Sequence, residues 1–579
     1  FSQAGAGTWS PCREPPLRQA SAFDGRPTGL TGVVALQAGS RPTASLPSAL
    51  LLTGLCAWLF LLHLGSLPFM GKDEPKNAEV VREMMGRNDF VTPTLGEEPW
   101  FDKPILYYWG SLLFFHLLGP GEMAARLTCA LFGMGGVLLT WDFARRLFDD
   151  RTALRAGIIL ATSLEYFWYS RTAVTDLPLT FCVTLSLVAF FRALEGWGSP
   201  RLWYPVAFAA AGGAALAKGP VGLVLPCLVA GSYLILTGRI RELARIPWVT
   251  SLLAFVLVAA PWYLAVSLRH GELFWNDFIV NRNIHRYTST IHRHPGPVYY
   301  YLPILVIGLF PWGALFPFAV GEAAARGLRS LREQERRAGY LLCWILLPLV
   351  FFSFAGSKLP SYLLPCFPAM AILTAGAWRK VLEEPGSPRR RFWGITCLLA
   401  LFPVLAGAIY AWCRTEAPEQ IRAQAPLALC LAGTAILLAA LSLAKRYRLL
   451  FSGCAAGTVL SLTALVVFSL GNVREEASLT RIASVGVKLA KEGKTVVAFR
   501  NFHNYLYYYT ENRVPLVKRL PQLEKLLDEQ VNVYCFLEKA GLQELSQTPL
   551  RVEPVDRQYR VVLARVSRSR SSWRVPRWE

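Results

Sequence analysis

The sequence predicts an α-helical polytopic membrane protein of about thirteen spans, followed by a small extracytoplasmic α/β domain. Hydrophobic residues make up 53% of the 579 and charged residues 17%, with a mean hydropathy of +0.34. Soluble domains carry about a quarter charged residues. The apolar residues come in long runs, among them Leu50–Leu67, Trp248–Leu268, Val298–Val320 and Tyr340–Phe354. Lipid offers the backbone no hydrogen-bond partner, so runs approaching the roughly 18–20 residues that cross a bilayer must pair internally as helices. The third observation is the charge of the connections, which alternates.

Spans are expected near 47–69, 123–144, 153–170, 174–193, 203–217, 219–237, 247–268, 298–320, 339–355, 361–378, 392–412, 425–444 and 449–470. Every second connection is rich in cations: Arg145, Arg146, Arg151 and Arg155, then Arg192 and Arg201, then Arg239, Arg241 and Arg245. Arg326 to Arg337, Arg379 to Arg391, and Lys445, Arg446 and Arg448 continue the series. The positive-inside rule places these in the cytoplasm. The others, chiefly 70–122 and 269–297, are poorer in cations for their length and belong outside. Ile105–Leu118 is apolar, but counting it as a span would invert every later loop. At about 14 residues, with five aromatics, it suits a helix lying in the headgroup layer. The same alternation accounts for the net charge of +21. No basic stripe interleaved with exposed aromatics points to nucleic acid, which is excluded as a partner.

Residues 1–46 are rich in Gly, Pro, Ser and Arg and are expected to form a disordered extension. Residues 47–471 form the membrane domain. In 472–566, TVVAF, NYLYYY, an amphipathic stretch (Leu520–Leu527), VNVYCFL and YRVVLARV alternate as strands and helices do, giving the outer α/β domain. Residues 567–579 form a basic tail. Most of the twelve cysteines lie in apolar runs, with no CxxC pair to suggest zinc or redox chemistry. Tyr299, Tyr300, Tyr301, Trp312 and Trp262 suit an interfacial aromatic belt.

Transporters keep ionisable groups inside their helices. Here Glu165 is the nearest such candidate, and the polar groups collect in the outer loops instead. The segment GKDEPKNAEVVREMMGRNDFVTPTLGEEPWFDK holds eight carboxylates. Its helical phase sets Glu79 and Glu83 on one face, while Val80, Met84 and Met85 can pack. An Asp-Glu pair just beyond a span is where a carboxylate can meet a membrane-bound substrate.

The segment DEPKNAEVVREM, GRNDFVTPTL, PWFDKPILYYW resembles the first outer loop of GT-C glycosyltransferases of the aminoarabinose-transferase and protein-mannosyltransferase-like family. GEMAARL, RTAVTDLPLTF, LAKGPVGLVLP, HRHPGPVYYYLP, LFPW and GSKLPSYLLPCFPA follow in family order, so the resemblance covers about residues 50–380. Two positions depart from the family pattern: Asn77 stands where Tyr is common, and Asp102 where Glu is. The resemblance implies a GT-C fold in a bacterial inner membrane, with its site facing the periplasm. It further implies transfer of a sugar from a polyprenyl-phosphate donor to lipid A, another glycan or lipid, or a protein. Asp73 would act at the acceptor nucleophile, with Glu74 as second choice and Asp176 as a further carboxylate. Lys103 and Lys218 would hold the donor phosphate, joined by Lys358 and Tyr362 of GSKLPSY. Lys218 stands out because it interrupts apolar sequence in a very short hairpin. Arg126 either pairs with Glu122 or helps bind an anion. His292 and His294 could offer two imidazoles to a divalent ion, with Asp102 completing the set. Solvated loop histidines are the competing explanation. No Gly-rich loop in a βαβ pattern suggests a nucleotide cofactor.

Two other classes fit a basic polytopic chain. A lipid-linked sugar flippase should show repeated halves and midplane charges. A non-catalytic envelope scaffold has no use for Asp73, Lys103 and Lys218 on one side.

Overall fold

The structure is a computed structural model that describes residues 46–71, 73–288, 296–330, 336–380, 388–415, 420–470, 479–500, 504–511, 514–558 and 561–568. The expected extension 1–46 lies outside these residues except for Leu46, as do Ser569 to Glu579 of the tail.

The membrane domain runs through α1 (Leu46–Leu61), α2 (Asp73–Arg87), α3 (Leu106–Leu118), α4 (Glu122–Leu147), α5 (Asp150–Thr162), α6 (Leu164–Ser170), α7 (Asp176–Leu194), α8 (Pro200–Lys218) and α9 (Pro220–Leu236). It continues with α10 (Trp248–Trp275), α11 (His285–Thr288), α12 (Tyr301–Gly308), α13 (Phe316–Ser330), α14 (Arg336–Ser353), α15 (Phe367–Trp378), α16 (Pro388–Thr415), α17 (Ile421–Leu443) and α18 (Leu450–Ala464). Among the described residues, 7 helical stretches are long and apolar enough to cross a membrane, and five shorter apolar helices accompany them.

Loops expected in the cytoplasm converge. Asp142 pairs with Arg145, Arg146 and Arg192, Asp149 with Arg379, and Arg337 donates to the Leu147 carbonyl. This cluster marks the far end of α4, whose 26 residues span roughly 39 Å from Glu122 at about 1.5 Å each.

Two local breaks shape the outer end. Lys218-Gly219-Pro220 closes α8 and opens α9: a cation ends one helix, proline starts the next, and Gly219 has φ +74°. A Cβ on Gly219 would also lie 2.6 Å from the Phe278 ring, so glycine is required twice over. Farther on, Gly271 (φ 52°, ψ −127°) breaks α10, and a π-helical segment, Asn276–Ile284, follows.

The apolar stretch 105–118 is the 13-residue α3, packed on α2 and α4. Tyr107, Tyr108 and Phe115 are buried there, and Trp109 is exposed at the edge with its indole on the Phe90 carbonyl. Most of the expected aromatic belt is core: Tyr301, Trp312 and Trp262 are buried, while Tyr299 is exposed. Pairing explains the two indoles, since Trp312 Nε1 reaches Thr162 and Trp262 Nε1 the Val91 carbonyl.

The C-terminal domain is a five-stranded sheet. Its order is β4 (Leu516–Val517), β3 (Val496–Phe499), β5 (Val533–Leu537), β7 (Val561–Arg568), β6 (Leu550–Gln558), after a small hairpin of β1 (Thr94–Leu95) and β2 (Glu98–Pro99) in the first loop. β3 is parallel to β4 and β5, and β7 is antiparallel to β5 and β6. Side chains alternate across the sheet. Val497 and Phe499 pack with Leu523 and Leu527 of α21 (Leu520–Glu529) and Leu542 of α22 (Lys539–Leu545). Val496 and Ala498 pack with Ile482 of α19 (Thr480–Lys491) and Leu506 of α20 (Asn504–Tyr509). NYLYYY is thus helical, and β7 extends two residues past the expected boundary at 566.

Candidate active site

α2 opens on two acids, which the positive end of a helix favours, and helical phase sends them to different places. Glu74 turns inward. Its carboxylate takes two hydrogen bonds of 2.8 Å from Arg126 and accepts the N–H groups of Ala173 (2.7 Å) and Met70 (2.6 Å). Arg126 spends its remaining donors on the carbonyls of Leu64, Leu67 and Pro68. Both side chains are at most 3% exposed. This pair ties the end of the α1 segment to α2 and α4, and the partner of Arg126 is Glu74, where the sequence offered Glu122 or an anion.

Asp73 turns the other way and is exposed. Lys76, one turn on, donates to it at 2.8 Å and reaches Asp102 at 3.4 Å. Asp102 also faces Lys103 at 3.2 Å and Arg282 at 3.7 Å. The Trp100 ring lies 5.6 Å from the Lys76 ammonium and 4.8 Å from the Arg282 guanidinium. Phe101 packs edge-on against Phe274, which stacks on Phe278, so an aromatic ladder fixes the strip carrying Asp102 beside the segment carrying Arg282. Nearby protein mass works to raise the pKa of Asp73 even though its side chain reaches solvent, but the charge and hydrogen bond of Lys76, with Lys103 beyond, hold it below the usual value. Burial likewise works to lower Lys76, and Asp102 and Asp73 overcome it and raise its pKa.

On the facing wall Lys218 donates to Asp176 at 2.6 Å and sits 4.9 Å over the Tyr362 ring. Between the walls lies a cavity of about 450 Å³, within the roughly 300–1,000 Å³ of small-molecule sites. The charged residues described along it are Lys103, Lys218, Arg282 and Asp102, three cations against one carboxylate. Its remaining length is largely apolar, with Leu179, Val221, Val224, Ile279 and Phe352 among the lining. Such a shape takes an anionic head and an apolar tail.

Asp73, Asp102, Lys103, Asp176, Lys218 and Tyr362 are thus brought together, whereas Glu74 and Arg126 lie in the ion pair behind them. Lys358 is buried and donates to the Ala355 carbonyl at 2.6 Å, so it closes the turn after α14, whose Ala355 and Ser357 line the cavity. Glu83 pins the β1–β2 hairpin through Thr94 and the N–H of Gly96. Lys76 and Arg282 are site members that the sequence reading missed. Lys76 had a signal, three residues from Asp73 on one helix face. Arg282 had its place in the outer loop 269–297, five residues from its partner Asp277.

Among the described residues no group of three His, Cys, Asp or Glu could hold a metal ion. His292 and His294 lie outside the described residues. Asp102 suits a metal poorly here, since Lys76, Lys103 and Arg282 already surround it.

This fold, with loops gathered around a cation-lined cavity, has counterparts among known proteins. Residues 102–264 match the family described as dolichyl-phosphate-mannose-protein mannosyltransferase. The chain is similar to the undecaprenyl phosphate-alpha-4-amino-4-deoxy-L-arabinose arabinosyl transferase of Aeromonas hydrophila, with 33% identity over 59% of this chain and 63% of that protein. The same-named protein of Pectobacterium carotovorum is 36% identical over 56% of this chain and 57% of its own length. The match thus spans less than two thirds of these relatives. Among solved structures, ArnT from Cupriavidus metallidurans bound to undecaprenyl phosphate superposes with a TM-score of 0.74 at 24% identity, covering 90% of this chain and 98% of that one.

Proposed function

We propose that the chain is a glycosyltransferase of the extracytoplasmic face. It would take a sugar from a polyprenyl-phosphate donor and pass it to an envelope acceptor such as lipid A, another glycan or lipid, or a protein. The names of its relatives support undecaprenyl phosphate as carrier and 4-amino-4-deoxy-L-arabinose as sugar, and their bacterial sources together with the long apolar helices support a bacterial inner membrane as location. The observation that carries this reading is the cavity, with three cations at one end, an apolar length, and Asp73 nearby across Lys76 and Asp102.

The donor enters laterally, its isoprenoid tail along Val221, Val224 and Ile279 and its phosphate among Lys103, Lys218 and Arg282. An acceptor oxygen attacks the anomeric carbon, and the bond from that carbon to the phosphate oxygen breaks, its electron pair leaving with the phosphate. Fixed cations stabilise that growing charge in a water-poor site more strongly than water would. Asp73, held ionised, accepts the proton of a hydroxyl acceptor or orients it. An already ionised phosphate acceptor needs no proton removed. The C-terminal domain lies on the same outer side, its α20 resting on α2.

Purified full-length chain in detergent, given undecaprenyl-phosphate-linked aminoarabinose and a lipid A acceptor, should form the glycosylated product. Movement of the intact donor lipid across vesicles with no sugar transfer would replace this reading with a flippase.

A further inference from the structure

The transfer step leaves the C-terminal domain without work, yet that domain is fastened to the helix bearing Asp73. Tyr509 closes α20. Its hydroxyl donates to Glu122 Oε1 at 2.8 Å and accepts the Phe69 N–H at 2.8 Å, partners 387 and 440 residues away in sequence. Phe69 lies four residues before Asp73, and the next N–H, of Met70, is the one held by Glu74. The Phe69 ring meets Tyr508 edge-on at 4.8 Å, with the Arg126 guanidinium 5.4 Å from the same ring. Farther along α2, Arg82 donates to the Tyr508 carbonyl at 2.9 Å, lies 5.0 Å over its ring, and pairs with buried Glu79 at 2.5 Å.

A single phenol therefore joins the entry of α2 to the start of α4. A phenylalanine there would keep the packing but leave the Phe69 N–H and Glu122 without that partner. The cavity cations Lys103, Lys218 and Arg282 stand on other elements, so the effect of this joint falls on Asp73 and Lys76. Displacing a reacting group by about 1 Å can cost up to roughly 10²-fold in rate.

We propose that Tyr509 is a positioning residue, through which the C-terminal domain sets the entry of α2 and hence the place of Asp73 and Lys76 beside Asp102. This rests on the transfer reaction proposed above. In the full chain, Tyr509→Phe should lower kcat about tenfold with the KM for donor nearly unchanged. Hydrogen exchange of the ligand-free protein should rise over residues 66–80 while α8 and β3 stay as protected as before. Glu122→Gln, whose amide oxygen still accepts, should match the unsubstituted protein, and Glu122→Leu should match Tyr509→Phe. Unchanged exchange in Tyr509→Phe, raised exchange with kcat intact, or a change in KM alone would overturn the proposal. If the unsubstituted chain transfers no sugar, the reaction is refuted, and the exchange arm still decides whether Tyr509 anchors α2.

Discussion

Replacing Lys218 with methionine takes one of three cations from the cavity and strips Asp176 of its partner at 2.6 Å. The two side chains are 13% and 12% exposed. Removing one member of a buried pair costs about 3–5 kcal/mol, and the residual solvent contact here points to the lower end, about 3 kcal/mol. Asp176→Asn should also destabilise, by leaving the ammonium unpaired. The double variant removes both charges together, so about 1–3 kcal/mol of the loss should return as coupling between neighbours. Activity should not follow stability. A charge-assisted hydrogen bond to the donor phosphate contributes about 1.5–3 kcal/mol, or roughly 10- to 100-fold in transfer. The assays are thermal unfolding in detergent and donor-dependent sugar transfer for all four proteins. The double variant should regain stability and stay at least about tenfold slow. Recovery of transfer together with stability would show that Lys218 serves only its ion pair.

Glu74→Gln should act on folding: breaking the buried pair with Arg126 should cost about 3 kcal/mol, read as a lower melting temperature, with donor affinity of the folded fraction intact. A normal melting temperature with lost turnover would instead place Glu74 in the chemistry. Glu79 should make stability depend on pH. Burial raises its pKa to about 7, against the opposing pull of Arg82. The folded state thus holds a proton that the unfolded chain has released above about pH 4.5. That contribution is fully present below about pH 4.5 and is lost as pH rises through 7. The gain in melting temperature of Glu79→Gln over the unsubstituted protein should be larger at pH 8 than at pH 5; a difference constant with pH would contradict the assignment.

Part of the candidate site was legible from residues that stand out locally, and part only from the family resemblance, as for Asp73. Lys218 interrupts an apolar hairpin, Asp176 opens an apolar helix, and Lys103 sits in a loop bounded by spans. The convergence of Arg145, Arg192 and Arg379 at one end followed from loop charge alone. Glu74 was grouped with Asp73, its neighbour in sequence, while about 100° of helix rotation separates their side chains and turns Glu74 to Arg126. Lys76 resembles any solvated helix lysine until tertiary packing buries it. Arg282 reaches the cavity through the break at Gly271 and the π-helical segment, neither of which composition signals. The joint at Tyr509 joins residues 440 apart, and no local pattern encodes such a contact.

The most direct measurement pairs donor binding with single-turnover transfer in Asp73→Asn. The account predicts that undecaprenyl phosphate binds within about threefold of the unsubstituted protein, because its cations remain. Transfer should fall by roughly 10²–10⁴, the range for losing a positioned acid–base group. Transfer at the unsubstituted rate, or donor binding lost in step with turnover, would contradict the role given to Asp73 beside the cavity.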